Sequence, residues 1–136
     1  MLTTMEIRDW IAGLGVTEAG RVYIGKLDNK QQKAIGVYGR EVSGFPITAL
    51  GGTGYSTYNV RHISLLVHWT KRQEESEEVA YYLFRLLQGQ QGFTAGKTRV
   101  LSIQLQMPEP QPIGTDETGV YEFVIWLDFI YERKDG

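Results

Sequence analysis

The stretch from Val120 to Glu132 constrains this chain more than any other. Tyr121, Phe123, Ile125, Leu127, Phe129 and Tyr131 alternate along it, which places them together on one face of a β-strand, where side chains repeat every second residue. Val124, Trp126 and Ile130 make the other face half apolar as well. A strand buried on one side only needs no such second face. Either the strand is central and covered on both sides, or its second face meets another subunit.

The rest of the chain supplies elements to pair with it. Val60 to Thr70 alternates cleanly, with Ile63, Leu65, Val67 and Trp69 on one face and His62, Ser64, Leu66 and His68 on the other. Glu74 to Leu87 reads as a helix with acidic residues at its positive end and an apolar stripe of Val79, Tyr82, Leu83, Leu86 and Leu87; Gln88–Gly89 stops it. Gly92 to Gly96 reads as a loop. Thr98 to Met107 alternates with Leu101, Ile103, Leu105 and Met107 apolar, until Pro108, Pro110 and Pro112 interrupt the ladder and Ile113 to Gly119 forms a second loop. Near the start, Leu2 to Leu14 reads as a short amphipathic helix presenting Leu2, Met5, Trp10, Ile11 and Leu14, capped by Thr3 or Thr4 with Glu6. Arg21 to Leu27 and Lys33 to Tyr38 read as strands joined in a hairpin across Asp28–Asn29–Lys30. The order predicts an α+β fold with a mainly antiparallel sheet and two helices packed on one face, with one parallel crossover allowed between residues 60 and 107.

At 136 residues the chain is expected to be a single domain, 1–136, and 42% apolar with 22% charged residues fits a globular core. No apolar run approaches the ~18 residues of a membrane span, and Glu6, Arg8 and Asp9 break the first apolar stretch, so no signal peptide is expected. The absence of cysteine excludes disulfides, thiolate metal sites and a cysteine nucleophile, and fits a cytoplasmic origin. A net charge of −2 argues against a cationic nucleic-acid binder. The charge is uneven. Residues 1–71 hold eight Lys/Arg against five Asp/Glu, while residues 72–136 hold six against eleven. That polarity is either ordinary surface variation or a means of registering copies head to tail.

The glycine-rich loop at about 39–59 carries Phe45, Ile47, Leu50, Tyr55 and Tyr58. Aromatic residues on a stretch this long either cap the chain's own core or order against a partner.

Few residues offer chemistry. Gly92-Phe-Thr-Ala-Gly-Lys97-Thr98 has the look of a phosphate loop, but a strand follows where phosphate binding needs a helix N-terminus. His62 and His68 share a strand face about 20 Å apart at ~3.3 Å per residue, too far to share a metal. Asp116–Glu117 reads as turn chemistry. Arg21, Lys26, Lys30, Lys33 and Arg40, with Tyr23 and Tyr38 nearby, read as ordinary surface. No catalytic residue, metal ligand or cofactor is expected.

The second half resembles a known family. The carriers are Ile63-Ser-Leu-Leu-Val-His-Trp-Thr-Lys71 leading into the acidic helix, Met107-Pro-Glu-Pro110, Gly114-Thr-Asp-Glu117, Gly119-Val-Tyr-Glu-Phe-Val-Ile125 and Asp128-Phe-Ile-Tyr-Glu-Arg133. Residues 55–133 are similar to the minor capsid proteins and the tail-terminator and tail-to-head joining proteins of tailed bacteriophages and prophages. The N-terminal helix follows more loosely. The resemblance implies a non-enzymatic α+β subunit, assembled in the bacterial cytoplasm into a virion ring at the tail–head junction, typically of six copies. Its implied partners are itself, the tail tube protein and the head connector or neck protein. DNA passes through the lumen without specific binding, and no membrane is involved. Within that frame, Phe45, Tyr55, Tyr58, Asp116, Glu117 and Trp126 are the expected interface residues. The alternatives are a small-ligand-binding or enzymatic α+β domain using His62, His68 and Tyr121, or a neck or head-completion protein differing only in its position along the virion.

Overall fold

A computed structural model describes residues 1–25, 31–41 and 58–133. The first helix, α1 (Thr4–Gly13), starts where its sequence satisfies its own free amides. The Thr3 hydroxyl accepts from the Glu6 N–H at 3.1 Å, and the Glu6 carboxylate accepts from the Thr3 N–H at 3.0 Å. This reciprocal pair is a capping box. A short 3-10 turn (Ala19–Arg21) leads into β1 (Val22–Ile24), followed by β2 (Ala34–Gly39) and β3 (Tyr58–His68). Next come α2 (Gln73–Leu87), β4 (Gln91–Ala95), β5 (Thr98–Leu105), β6 (Gln111–Thr115) and β7 (Tyr121–Glu132). Helix α2 stops at Gly89, whose φ of 72° takes the left-handed conformation a helix end favours.

Among the described residues the strands form one sheet in the order β1-β2-β3-β7-β5-β4, with β6 also on β7. On one side β7 pairs with β3 along its whole length, from Tyr58↔Glu132 to His68↔Glu122. On the other side β5 covers its second half and β6 its first. The strand with two apolar faces is therefore central. Its second face is nonetheless open at Trp126, which is 44% exposed. Ile63, Leu65 and Val67 of β3 join Phe123, Ile125, Leu127 and Phe129 of β7 in the core. Ile7 and Ile11 of α1 and Leu83 and Leu87 of α2 pack into that same core. The fold is α+β, with a mostly antiparallel, curled sheet and both helices on one face.

Several expectations need correction. β1 and β2 are not a hairpin but run parallel, with Val22 beside Ile35 and Ile24 beside Val37. A hairpin loop is about two to five residues. Nine residues, 25–33, separate β1 from β2, more than such a loop holds, and the predicted turn Asp28–Asn29–Lys30 lies outside the described residues. Gly92 to Gly96 is not a loop, because Gln91–Ala95 pairs with β5 as β4. Part of the second predicted loop is also a strand, β6, whose ladder shifts between Pro112 and Gly114. Proline is tolerated on such an exposed edge.

The buried faces of three elements also differ from the predicted ones. In α2 the buried line is Ser76, Ala80, Leu83, Phe84 and Leu87, and Tyr82 is exposed. Ser76 belongs to that line because its hydroxyl turns in to the segment before the helix, donating to the Thr70 and Arg72 carbonyls at 3.2 and 2.8 Å. In α1, Ile7 is buried and Met5 is exposed. In β5 the register shifts between Val100 and Ser102, so Leu101 turns outward while Ile103 still faces in. A bulge adds one residue and so breaks the two-residue alternation.

Helix α1 holds the two ends of the curled sheet, touching β1, β2 and β4. Arg8 Nε donates to the Val22 carbonyl of β1 at 2.9 Å. On the other side Trp10 stacks on Phe93 of β4 at 4.4 Å and meets Phe129 edge-on at 5.9 Å. The Glu6 carboxylate accepts from Lys97 N–H at 2.8 Å and from the Thr98 hydroxyl at 3.1 Å, in the β4–β5 turn. The phosphate-like stretch is thus the end of β4 and a tight hairpin turn at Gly96–Lys97, whose Lys97 amide binds a carboxylate of the chain itself, and a strand does follow it.

Candidate functional site

The sheet face turned away from the helices carries a line of paired polar side chains. Antiparallel pairing sets it up, because His62 lies opposite Asp128 and His68 opposite Glu122. His62 Nδ1 sits 2.8 Å from Asp128 Oδ1, and His68 Nδ1 sits 2.9 Å from Glu122 Oε2. Arg40, just past β2, reaches the same Asp128 oxygen at 2.6 Å. Its guanidinium carbon also lies 5.3 Å from the centre of the Trp126 ring, a cation–π contact. Trp126 is thus braced by Arg40, Arg40 by Asp128, and Asp128 by His62. Tryptophan and arginine are among the side chains most enriched at the energetic centres of protein contacts.

At the other end of this face His68 is almost fully buried, at 2% exposure, between two carboxylates. Its Nε2 lies 3.6 Å from Asp116 Oδ2. The other Asp116 oxygen accepts from the Thr118 N–H, the Thr118 hydroxyl and the Val120 N–H, at 2.8, 2.7 and 3.0 Å. Burial pushes the Asp116 pKa up, but these three hydrogen bonds and nearby His68 outweigh it and hold the carboxyl below its ordinary value. Tyr38 is shifted upward, by burial and then by the negative charge of Glu122.

Of the expected interface residues, Phe45 and Tyr55 lie outside the described residues. Tyr58 opens β3 and is 39% exposed, on the same face as Trp126 but six strand positions further along. Asp116 is committed to its own turn, and Glu117 beside it is exposed. The face therefore gathers Trp126 at its centre, Tyr58 at one end and the 116–117 turn at the other. Reasoning from sequence missed Arg40, Asp128 and Glu122. The signal was present: histidines at 62 and 68 and acids at 122 and 128 share one spacing, which antiparallel strands bring into register.

The ligand-site alternative does not assemble. Tyr121 packs against the helix-side core, whereas His62 and His68 face away from it. Among the described residues no group of three or more His, Cys, Asp or Glu side chains could hold a metal. No helix among them is long and apolar enough to cross a membrane.

A mostly antiparallel sheet with both helices on one face and a half-exposed tryptophan on the other defines the class, a small α+β protein. Comparison with known families then makes the assignment specific. The model of the bacteriophage tail terminator protein matches residues 9–133, and this chain belongs to that family, a phage tail structural protein. No curated protein matches it.

Proposed function

We propose that the chain ends tail growth by closing into a ring of six copies on the tail tube, and that this ring receives the head connector. DNA passes through its lumen unread. The work is geometric, since a contact repeated at a fixed rotation closes after a set number of copies. The observation that carries the reading is Trp126, a large aromatic held in place on the open face of the central strand. An overall charge of −2 suits a passage that must not retain phosphate.

Native mass spectrometry of the purified chain tests ring formation. A closed assembly of six is expected, and Trp126→Ala should weaken it by at least about tenfold while the monomer still folds. A wild-type chain that stays monomeric at high concentration and in the presence of its tail tube would overturn the reading.

A further inference from the structure

We propose that neighbouring copies join by seating the acidic outer face of α2 of one copy in a cationic cleft beside β1 of the next; this rests on the self-assembly reading above. The cleft, about 500 Å³, is lined by Val16, Thr17, Glu18, Arg21, Gln32, Lys33 and Trp69, two cations against one acid. Its walls are fixed by their own hydrogen bonds. The Thr17 hydroxyl donates to the Lys33 carbonyl at 2.6 Å, Arg21 Nη1 to the Gln32 carbonyl at 2.8 Å, and Lys33 N–H to the Trp69 carbonyl at 2.8 Å. Glu18 engages Arg21 only loosely, at 3.7 Å. The Lys33 ammonium is exposed and forms no ion pair among the described residues. The cleft thus sets the exposed Lys33 cation beside the aliphatic Val16 and the Trp69 ring, which suits a carboxylate on a short aliphatic stem.

The chain carries the complementary surface. A smaller groove of about 290 Å³ on α2 is lined by Glu77, Glu78, Tyr81 and Arg85. The Tyr81 hydroxyl donates to Glu109 at 2.6 Å, which brings a third carboxylate to it. Three acids against one guanidinium leave this face negative. The two surfaces share no residue. The cleft belongs to the β1–β2 end of the sheet, while α2 lies over β7 and β3. A contact between two different surfaces is heterologous, so it propagates from copy to copy and closes into a ring when the rotation allows. Opposite charge on the two surfaces registers them.

The test uses two full-length variants, Lys33→Glu and Glu77→Lys/Glu78→Lys, with oligomeric state read by sedimentation velocity. Each variant alone places like charges at every contact, and its assembled fraction is expected to fall by at least about tenfold. Mixed one to one, the variants oppose unlike charges at every contact of an alternating ring, and assembly is expected to return to wild-type level. Variants that assemble alone as wild type does, or a mixture that fails to recover, would overturn the contact while leaving the ring reading standing. A monomeric wild type would overturn both. Thermal melting checks each fold. Should Lys33→Glu not melt cooperatively, Lys33→Gln takes its place, read by the salt dependence of assembly. A shallower dependence than wild type is expected, and an unchanged one overturns the contact.

Discussion

Glu6 serves two structures at once, because its carboxylate caps α1 and also holds the β4–β5 turn. Burial pushes its pKa up, but hydrogen bonds from the Thr3 and Lys97 amides and the Thr98 and Thr3 hydroxyls outweigh that and keep it below the usual glutamate value. Asp116 is lowered in the same direction. A carboxyl whose pKa is lower folded than unfolded stabilises the fold above its unfolded pKa, and that contribution is lost as pH falls through the folded value. Urea unfolding across pH 2 to 7 should therefore show stability falling on the acid side, with a smaller fall in Glu6→Gln. At neutral pH Glu6→Ala should cost about 2 kcal/mol, the scale of hydrogen bonds to a charged group. Gly96 offers a second reading of the same contact. Its φ is 60°, and a Cβ there would lie 2.5 Å from the Glu6 carboxylate. Gly96→Ala should destabilise the protein by about 1–3 kcal/mol, measured by the shift of the urea midpoint. The capping role of Glu6 was legible, since Thr3 and Glu6 stand at the capping-box spacing. Its bond to a turn some ninety residues away was not, because a single sequence carries no sign of which helix end meets which hairpin.

At the scale of elements, α1 is the part that turns a curled sheet into a closed body. Trp10, stacked on Phe93 and edge-on to Phe129, carries much of that role, and Trp10→Ala should cost about 3 kcal/mol. Amide exchange should then rise first in β4 and β1, the strands α1 holds; faster exchange confined to β3 and β7 would contradict this. The long central strands were readable from alternation alone, as were their inward faces. The failures came where alternation or spacing is locally broken. Leu101 turns out because a bulge inserts a residue before Ser102. β4 hides within a glycine-rich stretch, since it pairs through backbone groups while its glycines mimic a loop. The hairpin predicted from Asp28–Asn29–Lys30 fails because turn-forming residues do not set the direction of a short following strand. The buried line of α2 differs because Ser76 is buried by its hydrogen bonds to the segment before the helix, which an apolar pattern does not show.

Over the whole molecule, the sheet order converts the uneven charge of the sequence into a spatial one. β1, β2 and β3 come from the more basic first half and stand together, and β7, β5 and β4 from the more acidic second half stand beside them. A candidate face was partly legible, because Trp126 on the second face of an otherwise core-like strand flagged a surface. The bracing of that tryptophan by Arg40 was hidden, because Arg40 comes from a distant stretch and meets Trp126 only through the pairing of β2, β3 and β7. Electron microscopy of particles made by a phage lacking this protein tests the central claim most directly. Tails of unregulated length beside filled but unjoined heads are predicted. Particles with tails of normal length, attached to their heads, would contradict it.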